Sequence, residues 1–258
     1  MAAWASGEAY EPYVGRWSRL VAVEFLDWLG VLPHQRWIDV GCGTGALTSA
    51  ILAKCEPASI LGIDPSAEHI DWAAANVHDS RARFEIGDAT RLLEAAADVV
   101  VSGLVLNFLP EPALALAAMR QAAPEGLVAA YVWDYADRME MMRHFWDAAI
   151  ALDSSAINLD EGRRFSMCHP ESLATLWQEA GFTEVTTRAI DVPTIFRNFD
   201  DYWKPFLGGQ APAPIYAMSL QEKDRNALRD RIRAELPISS DGSIHLIART
   251  WAVQGRSN

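Results

Sequence analysis

Short apolar runs alternate with helical segments along the first half of the chain. Val21, Phe25, Trp28 and Leu32 fall at i, i+4, i+7 and i+11, which predicts a helix over residues 18–29 that stops at Pro33. Five strands are predicted after this helix, and three helices separate them. The strands are 36–40, 59–63, 83–86, 97–102 and 127–133, and the helices are 46–53, 67–76 and 112–122.

The order of these elements predicts an α/β fold. Fully apolar strand centres, such as Val99, Val100 and Val101, are typical of parallel strands that are covered on both faces. Right-handed crossovers then give a doubly wound, Rossmann-like sheet, whose ligand binds at the carboxyl ends of the strands. We expect a single domain over residues 1–258.

The second half of the chain has a less regular pattern. It predicts helices over 138–152 and 170–180, a polar loop over 154–168, a strand over 183–192 and a final strand over 243–253. Residues 193–242 are interpreted as a helical, lid-like insertion before the last strand. Residues 1–32 are interpreted as an N-terminal helical cover.

The charge balance argues against a nucleic-acid partner. The 258 residues carry 22 Lys+Arg against 34 Asp+Glu, a net charge of −12, which repels a polyanion. The three cysteines show neither a disulfide nor a zinc spacing, so we expect no metal site and a reducing compartment. The sequence shows neither a signal peptide nor an 18-residue apolar run, so we expect a cytoplasmic protein without membrane contact.

A glycine-rich segment follows the first predicted strand directly. Gly41, Gly43 and Gly45 let the backbone turn sharply and let a ligand approach closely before the next helix begins. The segment also fits the dinucleotide pattern, because Ala46 completes G-x-G-x-x-G/A. The glycines alone therefore leave the ligand open.

Three acidic residues at strand ends separate the alternatives. Asp39 precedes the glycines and suits an ammonium group, whereas it would repel a pyrophosphate. Asp64 follows the second strand, where a carboxylate can accept hydrogen bonds from ribose hydroxyls. Asp88 follows the third strand, where it could accept from an adenine amino group. A ligand with an ammonium group, a ribose and an adenine but no phosphate is S-adenosylmethionine (SAM).

Residues 39–45, 61–65, 87–89 and 98–106 resemble the four successive motifs of class I SAM-dependent methyltransferases, in particular small-molecule enzymes of the type 11-like group. The resemblance implies a seven-stranded sheet with an antiparallel last strand, SAM as cofactor and S-adenosylhomocysteine as product. The cofactor-binding residues that it implies are Asp39, Gly41, Cys42, Gly43, Thr44, Asp64, Pro65, Gly87, Asp88, Ala89, Ser102 and Leu104, the last two through their backbone. We add Arg16 as a candidate partner of the methionine carboxylate.

The sequence gives fewer signals for the site that binds the methyl acceptor. The Asn/Asp-Pro-Pro-aromatic motif of adenine and glutamine methyltransferases is absent after the fourth strand, where Asn107 stands in a different context. We interpret Asn107 first as a turn cap and second as a substrate contact. Asp134 and Tyr135 follow the fifth strand, and His144 and His169 are candidate general bases. Further candidates for substrate contact are the aromatic residues Tyr10, Tyr13, Trp17, Trp203 and Phe206.

The sequence therefore predicts a methyltransferase, monomeric or homodimeric, that acts on a small, apolar or aromatic metabolite. One alternative is a methyltransferase that acts on a protein or a tRNA. Another is a module that binds SAM without catalysis. An NAD(P)-dependent reductase is disfavoured by Asp39 and by the absence of a Tyr-x-x-x-Lys pair.

Overall fold

The computed structural model describes residues 11–92, 96–209 and 211–257. Its strands are β1 (Arg36–Val40), β2 (Ser59–Asp64), β3 (Ala82–Ile86), β4 (Val99–Gly103), β5 (Leu127–Trp133), β6 (Thr183–Phe196) and β7 (Ile244–Arg256). Its α-helices are α1 (Arg16–Leu29), α2 (Ala46–Lys54), α3 (Ala67–Asn76), α4 (Pro112–Ala122), α5 (Glu140–Leu152), α6 (Glu161–Arg164), α7 (Pro170–Glu179), α8 (Phe199–Trp203), α9 (Pro212–Ser219) and α10 (Glu222–Glu235).

The seven strands form one sheet in the order β3-β2-β1-β4-β5-β7-β6. β1 pairs in parallel with β2 and β4, and the parallel pairing continues to β3 on one side and β5 on the other. The last strands run antiparallel. The predicted fold class is therefore confirmed. The strand order also puts the carboxyl ends of β1 and β4 side by side, where the chain crosses over in opposite directions.

Residue contacts divide the chain into two compact units. We call residues 18–132, 169–190 and 251–257 the core unit, and residues 11–17, 133–168 and 191–250 the aromatic unit. β6 and β7 contribute residues to both units. Tyr10 lies outside the described residues, as do residues 1–9 of the predicted cover. In the described part of the chain, no helix is both long and apolar enough to cross a membrane.

The predicted apolar stripe of α1 is correct except for its last member. Val21 and Phe25 are fully buried, but Leu32 is 74% exposed. The helix ends at Leu29, and Gly30 follows with a φ of +57°. A glycine in this left-handed conformation is a common helix stop, so Leu32 lies beyond the helical register.

Two predictions about the second half were wrong in detail. The segment predicted as a polar loop contains a 3₁₀ turn, Ser154–Asn158, and the helix α6. β6 continues to Phe196, so Pro193 lies within a strand and not at the start of an insertion. β6 is an edge strand of the sheet, and an edge is where a strand tolerates a proline.

The aromatic unit contains a dense group of rings, which we call the ring cluster. Its members are Tyr13, Phe145, Trp146, Tyr202, Trp203, Phe206 and Tyr216. Phe206 lies at its centre, with its ring centroid 4.6 Å from that of Phe145 and 5.6 Å from that of Tyr13. The Tyr202 hydroxyl donates to the carbonyl of Met141 at 2.7 Å. These side chains form a core of their own.

Candidate active site

The loop between β1 and α2 has three glycines in the left-handed region, with φ of +74° at Gly41, +52° at Gly43 and +81° at Gly45. A Cβ on Gly41 would lie 2.5 Å from Val105 Cγ2, so the segment after β4 packs directly on this loop. A Cβ on Gly43 would meet no atom of the described residues within 4 Å. Gly43 therefore borders open space, as a residue beneath a ligand does.

The backbone amides of this loop are already engaged. The N–H groups of Gly41 and Cys42 both donate to the carbonyl of Ile63, at 2.7 and 3.0 Å. The next N–H, that of Gly43, donates to Asp64 Oδ2 at 3.0 Å. A pyrophosphate site needs free amides that converge on an anion. These three amides are not free, and the geometry disfavours a dinucleotide.

Asp39 carries a buried and incompletely paired carboxylate. Its side chain is 1% exposed, and Oδ2 accepts a hydrogen bond from Thr48 Oγ1 at 2.8 Å. Oδ1 has no hydrogen-bonding partner among the described residues. Burial raises the pKa of Asp39 to about 7, although the Thr48 hydrogen bond partly opposes the shift. An unpaired buried carboxylate oxygen is costly, and a ligand cation such as an ammonium would satisfy it.

Asp64 is held from three sides at the end of β2. Oδ2 accepts from Gly43, and Oδ1 accepts from the Ser66 N–H at 2.9 Å and lies 3.2 Å from His69 Nδ1. Burial favours the neutral acid, but the hydrogen bonds from His69, Ser66 and Gly43 together lower the pKa of Asp64. The hydrogen bond to Asp64 raises the pKa of His69. Asp64 is therefore an oriented carboxylate, as a ribose-binding residue needs to be.

The third acidic candidate is open to solvent. Asp88 Oδ1 accepts from the N–H and the hydroxyl of Thr90, both at 2.8 Å, and these bonds lower the pKa of Asp88. The preceding Gly87 donates its N–H to the carbonyl of Asp64 at 3.1 Å, which brings the ends of β2 and β3 together. Pro65 is exposed and Ala89 is half-buried. Thr44 is half-buried and lines a groove of about 300 Å³ in the core unit.

The segment after β4 contributes strained backbone to the same edge of the sheet. Ser102 is fully buried, and its hydroxyl donates to the carbonyl of Val40 at 2.9 Å, so its side chain ties β4 to β1. Leu104 has a φ of +62°, which is rare for a non-glycine residue and is typical of functional sites. Its N–H donates to the carbonyl of Tyr131 at 2.8 Å.

The interpretation of Asn107 as a turn cap was wrong. Asn107 lies in a 3₁₀ turn, Leu106–Phe108, that has no side-chain cap. Its side chain is 8% exposed, and neither Oδ1 nor Nδ2 has a hydrogen-bonding partner among the described residues. Its second interpretation, a substrate contact, stays a prediction.

Cys42 does not have the properties of a nucleophile. Its thiol is 6% exposed, and burial raises the pKa of this group far above its ordinary value. A Cβ on Gly62 would lie 3.0 Å from Cys42 Sγ, so the sulfur packs against β2. The small buried side chain fills space beneath the glycine loop.

The other candidates lie in the aromatic unit. Arg16 lies over the rings of Trp17 and Phe196, at 4.2 and 4.8 Å from their centroids, and Nη1 is 3.4 Å from an oxygen of Asp201. Its Nε and Nη2 have no partner among the described residues, so they can still bind a carboxylate. Tyr13, Trp17, Trp203 and Phe206 are all buried.

The remaining candidates are Asp134 and the two histidines, His144 and His169. Asp134 is 2% exposed and accepts from the N–H of Asp137 at 3.2 Å, and burial raises the pKa of this carboxyl. Burial lowers the pKa of His144, which favours the neutral imidazole, the form that can accept a proton. His169 is half-buried at the start of α7.

Sequence reasoning missed three polar partners. Thr48 and His69 hold Asp39 and Asp64, but each lies on the helix that follows the acidic residue. Glu161 is 2% exposed in the aromatic unit and accepts a hydrogen bond from Trp146 Nε1. Of these three partners, only His69 could have been found from a local sequence signal, the serine at position 66. Ser66 caps α3 by accepting from the His69 N–H, and this turn places His69 near Asp64.

The residues of the core unit described above have the chemistry that the parts of SAM require. The unpaired oxygen of Asp39 suits the ammonium group, open space borders Gly43, and the oriented carboxylate of Asp64 suits the ribose. Asp88 has an exposed carboxylate on the next strand for the adenine.

Comparison with known proteins shows the family of the chain. A family described as "Methyltransferase domain" matches residues 15–187 of the chain, which is more than half of its length. The chain therefore belongs to this family, within the class I SAM-dependent methyltransferases.

The similar proteins differ in what they methylate. The chain is 33% identical over 101 residues to a trans-aconitate 2-methyltransferase of Deinococcus radiodurans, a match that covers 39% of this chain and 38% of that protein. It is 35% identical over 107 residues to a ribosomal protein L11 methyltransferase of Burkholderia orbicola, covering 40% and 34%. The chain thus spans well under half the length of these curated relatives.

A solved structure supports the fold alone. A phosphoethanolamine N-methyltransferase 2 of Haemonchus contortus, in complex with S-adenosylhomocysteine, superposes with a TM-score of 0.57 at 14% identity, covering 93% of this chain and 53% of that one.

Proposed function

We propose that this chain transfers the methyl group of SAM to a small, largely apolar or aromatic molecule. When bound, SAM supplies a methyl group on a sulfonium, so that a nucleophile can take the methyl while the bonding electrons return to sulfur and leave S-adenosylhomocysteine. The chain's residues then have to bind and orient the two molecules, since the cofactor provides the reactivity.

The cofactor-binding residues are proposed as the sequence predicted them. Asp39 would hold the ammonium group, with Thr48 added from the structure as the residue that donates to Asp39 Oδ2, and Asp64 would hold the ribose. Asp88 would contact the adenine, and the backbone at Ser102 and Leu104 would line the site. Arg16 is retained as a candidate for the methionine carboxylate.

The observation that supports a small acceptor is the buried amide of Asn107. Its two polar atoms lack partners and lie in a side chain that is 8% exposed, so only a group small enough to enter a buried space can reach them. Val105 packs on Gly41, which places this turn next to the cofactor loop. A protein or tRNA acceptor would need to insert a side chain or a base there, and a net charge of −12 opposes a tRNA.

Further acceptor contacts are proposed from the residues that the sequence singled out. Tyr13, Trp17, Trp203 and Phe206 are the candidates, with Asp134 and the part of the predicted insertion that follows β6, residues 197–242. Rings of this kind stack on apolar molecules and stabilise a sulfonium by cation–π contact. The acceptor's proton, where it has one to lose, leaves to solvent or to His144 or His169.

The test is calorimetry followed by an acceptor screen. SAM and S-adenosylhomocysteine should bind at micromolar affinity and NAD should not bind. Transfer of radiolabelled methyl from SAM is then measured to aromatic metabolites, to trans-aconitate, to ribosomal protein L11 and to tRNA. Labelling of the protein or the tRNA alone would contradict the small-molecule proposal, and binding of NAD in preference to SAM would contradict the cofactor.

A further inference from the structure

Asn107 is a buried amide with two unused hydrogen-bonding atoms. The backbone forms a 3₁₀ turn there without using the side chain, and neither Oδ1 nor Nδ2 meets a partner among the described residues. Buried polar side-chain atoms in native proteins are paired in the large majority of cases. An exception in which both atoms of one amide are unpaired points to a group that binds there.

The strand order shows on which side of the glycine loop Asn107 lies. β4 is the neighbour of β1 on the side away from β2 and β3. Asp64 and Asp88, at the ends of β2 and β3, therefore lie on one side of the glycine loop, and the turn after β4 lies on the other. Contact between Val105 and Gly41 keeps that turn against the loop. The ribose and adenine residues are thus separated from Asn107 by the loop itself.

We propose that Asn107 binds the methyl acceptor through a neutral group that carries a hydrogen-bond donor beside an acceptor. This inference rests on the proposed function, because it assigns the molecule at Asn107 as the acceptor of the methyl group. Carboxamides and lactams belong to this class, because each has an N–H donor beside a carbonyl acceptor. Oδ1 takes the donor and Nδ2 takes the acceptor of such a group.

A carboxylate acceptor fits this position poorly. A carboxylate only accepts hydrogen bonds, so it would satisfy Nδ2 and leave Oδ1 facing a negative charge. Asp39 and Asp64 add negative charge at the same edge of the sheet, and Arg36, at the start of β1, is paired with Asp98. The chain should therefore not bind trans-aconitate, the molecule for which one of its relatives is named.

The decisive variant is Asn107→Leu, which keeps the size of the side chain and removes both polar atoms. If Asn107 serves a ligand, the ligand-free variant should melt at the same temperature as the wild type or higher, because a buried unpaired amide has been removed. If Asn107 has a structural hydrogen bond, the variant should melt at a lower temperature. Asn76→Leu is the control for an asparagine that has a hydrogen bond at the protein surface, since the exposed Asn76 donates through Nδ2 to the carbonyl of Trp72 at 2.8 Å.

The ligand test uses the full chain saturated with S-adenosylhomocysteine. Titration with benzamide and 2-pyridone provides two neutral probes that carry a free N–H donor beside a carbonyl acceptor. Methyl 2-methoxybenzoate, which lacks a donor, and trans-aconitate are the comparison probes. At least one neutral donor–acceptor probe should bind the wild type at least about tenfold more tightly than either comparison probe, and Asn107→Leu should lose that preference.

The outcomes separate this inference from the proposed function. A wild type that does not bind S-adenosylhomocysteine contradicts the proposed function and, with it, this inference. Suppose that S-adenosylhomocysteine binds equally to the wild type and to Asn107→Leu. Three results would then overturn this inference alone: the variant keeps the probe preference, the wild type binds trans-aconitate more tightly than the neutral probes, or the wild type binds no probe. A lower melting temperature of the ligand-free variant, with Asn76→Leu as reference, also overturns it.

Discussion

The N–H of Gly43 donates to Asp64 Oδ2 at 3.0 Å, so the residue that ends β2 fixes the loop that follows β1. The same carboxylate is held from the other side by the Ser66 N–H and by His69. One side chain thus sets the shape of the glycine loop and is also the residue proposed to bind the ribose. The two tasks are coupled because they share one carboxylate.

Asp64→Asn should weaken binding of S-adenosylhomocysteine by about 1–3 kcal/mol, because charge-assisted hydrogen bonds are lost and the Gly43 N–H faces a weaker acceptor. Asp88→Asn should weaken it less, since Asp88 is exposed and its carboxylate accepts hydrogen bonds from Thr90 alone among the described residues. Calorimetry on both variants measures the difference.

The two carboxylates should also differ in what they recognise. S-Inosylhomocysteine lacks the adenine amino group, and the wild type should bind it more weakly than S-adenosylhomocysteine. Asp88→Asn should reduce this discrimination, whereas Asp64→Asn should keep it. Equal losses for both ligands in both variants would show that the two roles are not separate.

Gly43→Val should abolish binding of S-adenosylhomocysteine while the protein stays folded. Gly30→Val is the matched control, because Gly43 and Gly30 have φ of +52° and +57° and, in the part of the chain that the structure describes, a Cβ at either meets no atom within 4 Å. Each variant should lose about 1–2 kcal/mol of stability from the left-handed backbone. Only the first should lose the ligand in calorimetry. Normal binding by folded Gly43→Val, checked by circular dichroism, would mean that the ligand does not lie on this loop.

The sequence was sufficient for the features that depend on local pattern. Apolar strand centres and the spacing of Gly41, Gly43 and Gly45 are encoded within a few residues, and the structure has them where the pattern predicts. Leu32 shows the limit of this reasoning, because its spacing continues the stripe of α1 while Gly30 has already ended the helix.

Features that depend on tertiary contact could not be predicted. The segment over 154–168 looks like a polar loop, and its polarity gives no sign that Asp160 pairs with Arg143 or that Glu161 meets Trp146. The unpaired atoms of Asn107 are likewise a property of its surroundings, which a single sequence does not contain. These are the positions at which buried polar groups depend on residues far away in the chain.

Glu161→Gln should make stability less dependent on pH. Burial raises the pKa of Glu161 to about 7 from an ordinary value of 4.5, despite the hydrogen bond from Trp146. A raised carboxyl pKa stabilises the fold at low pH, and this contribution is lost as pH rises from about 4.5 to about 7. A shift of this size corresponds to roughly 3 kcal/mol.

Urea denaturation at pH 5 and pH 8 tests this prediction. The wild type should lose more stability between the two pH values than Glu161→Gln, because glutamine can still accept from Trp146 and does not ionise. Glu171→Gln, at an exposed position of α7, should behave as the wild type does. The same loss in all three proteins would show that Glu161 ionises in the folded state as it does in the unfolded chain.

Binding of S-adenosylhomocysteine near pH 6 should release a proton from Asp39. Burial raises the pKa of Asp39 to about 7, so most of its carboxyl groups are neutral at that pH in the ligand-free protein. An ammonium group beside the unpaired Oδ1 favours the charged form and lowers the pKa of Asp39 on binding. Affinity should therefore fall as pH drops below about 7, by up to about tenfold per unit.

Calorimetry at pH 6 in two buffers with different ionisation enthalpies measures the released protons directly. 5′-Methylthioadenosine is the matched ligand, because it keeps the adenine, the ribose and the sulfur but lacks the ammonium and the carboxylate, so its binding should release no proton. Asp39→Asn should bind S-adenosylhomocysteine more weakly and also without proton release. If both ligands release the same number of protons from the wild type, or if Asp39→Asn still releases one, the ammonium group does not bind at Asp39, and the glycine loop holds the cofactor in another orientation.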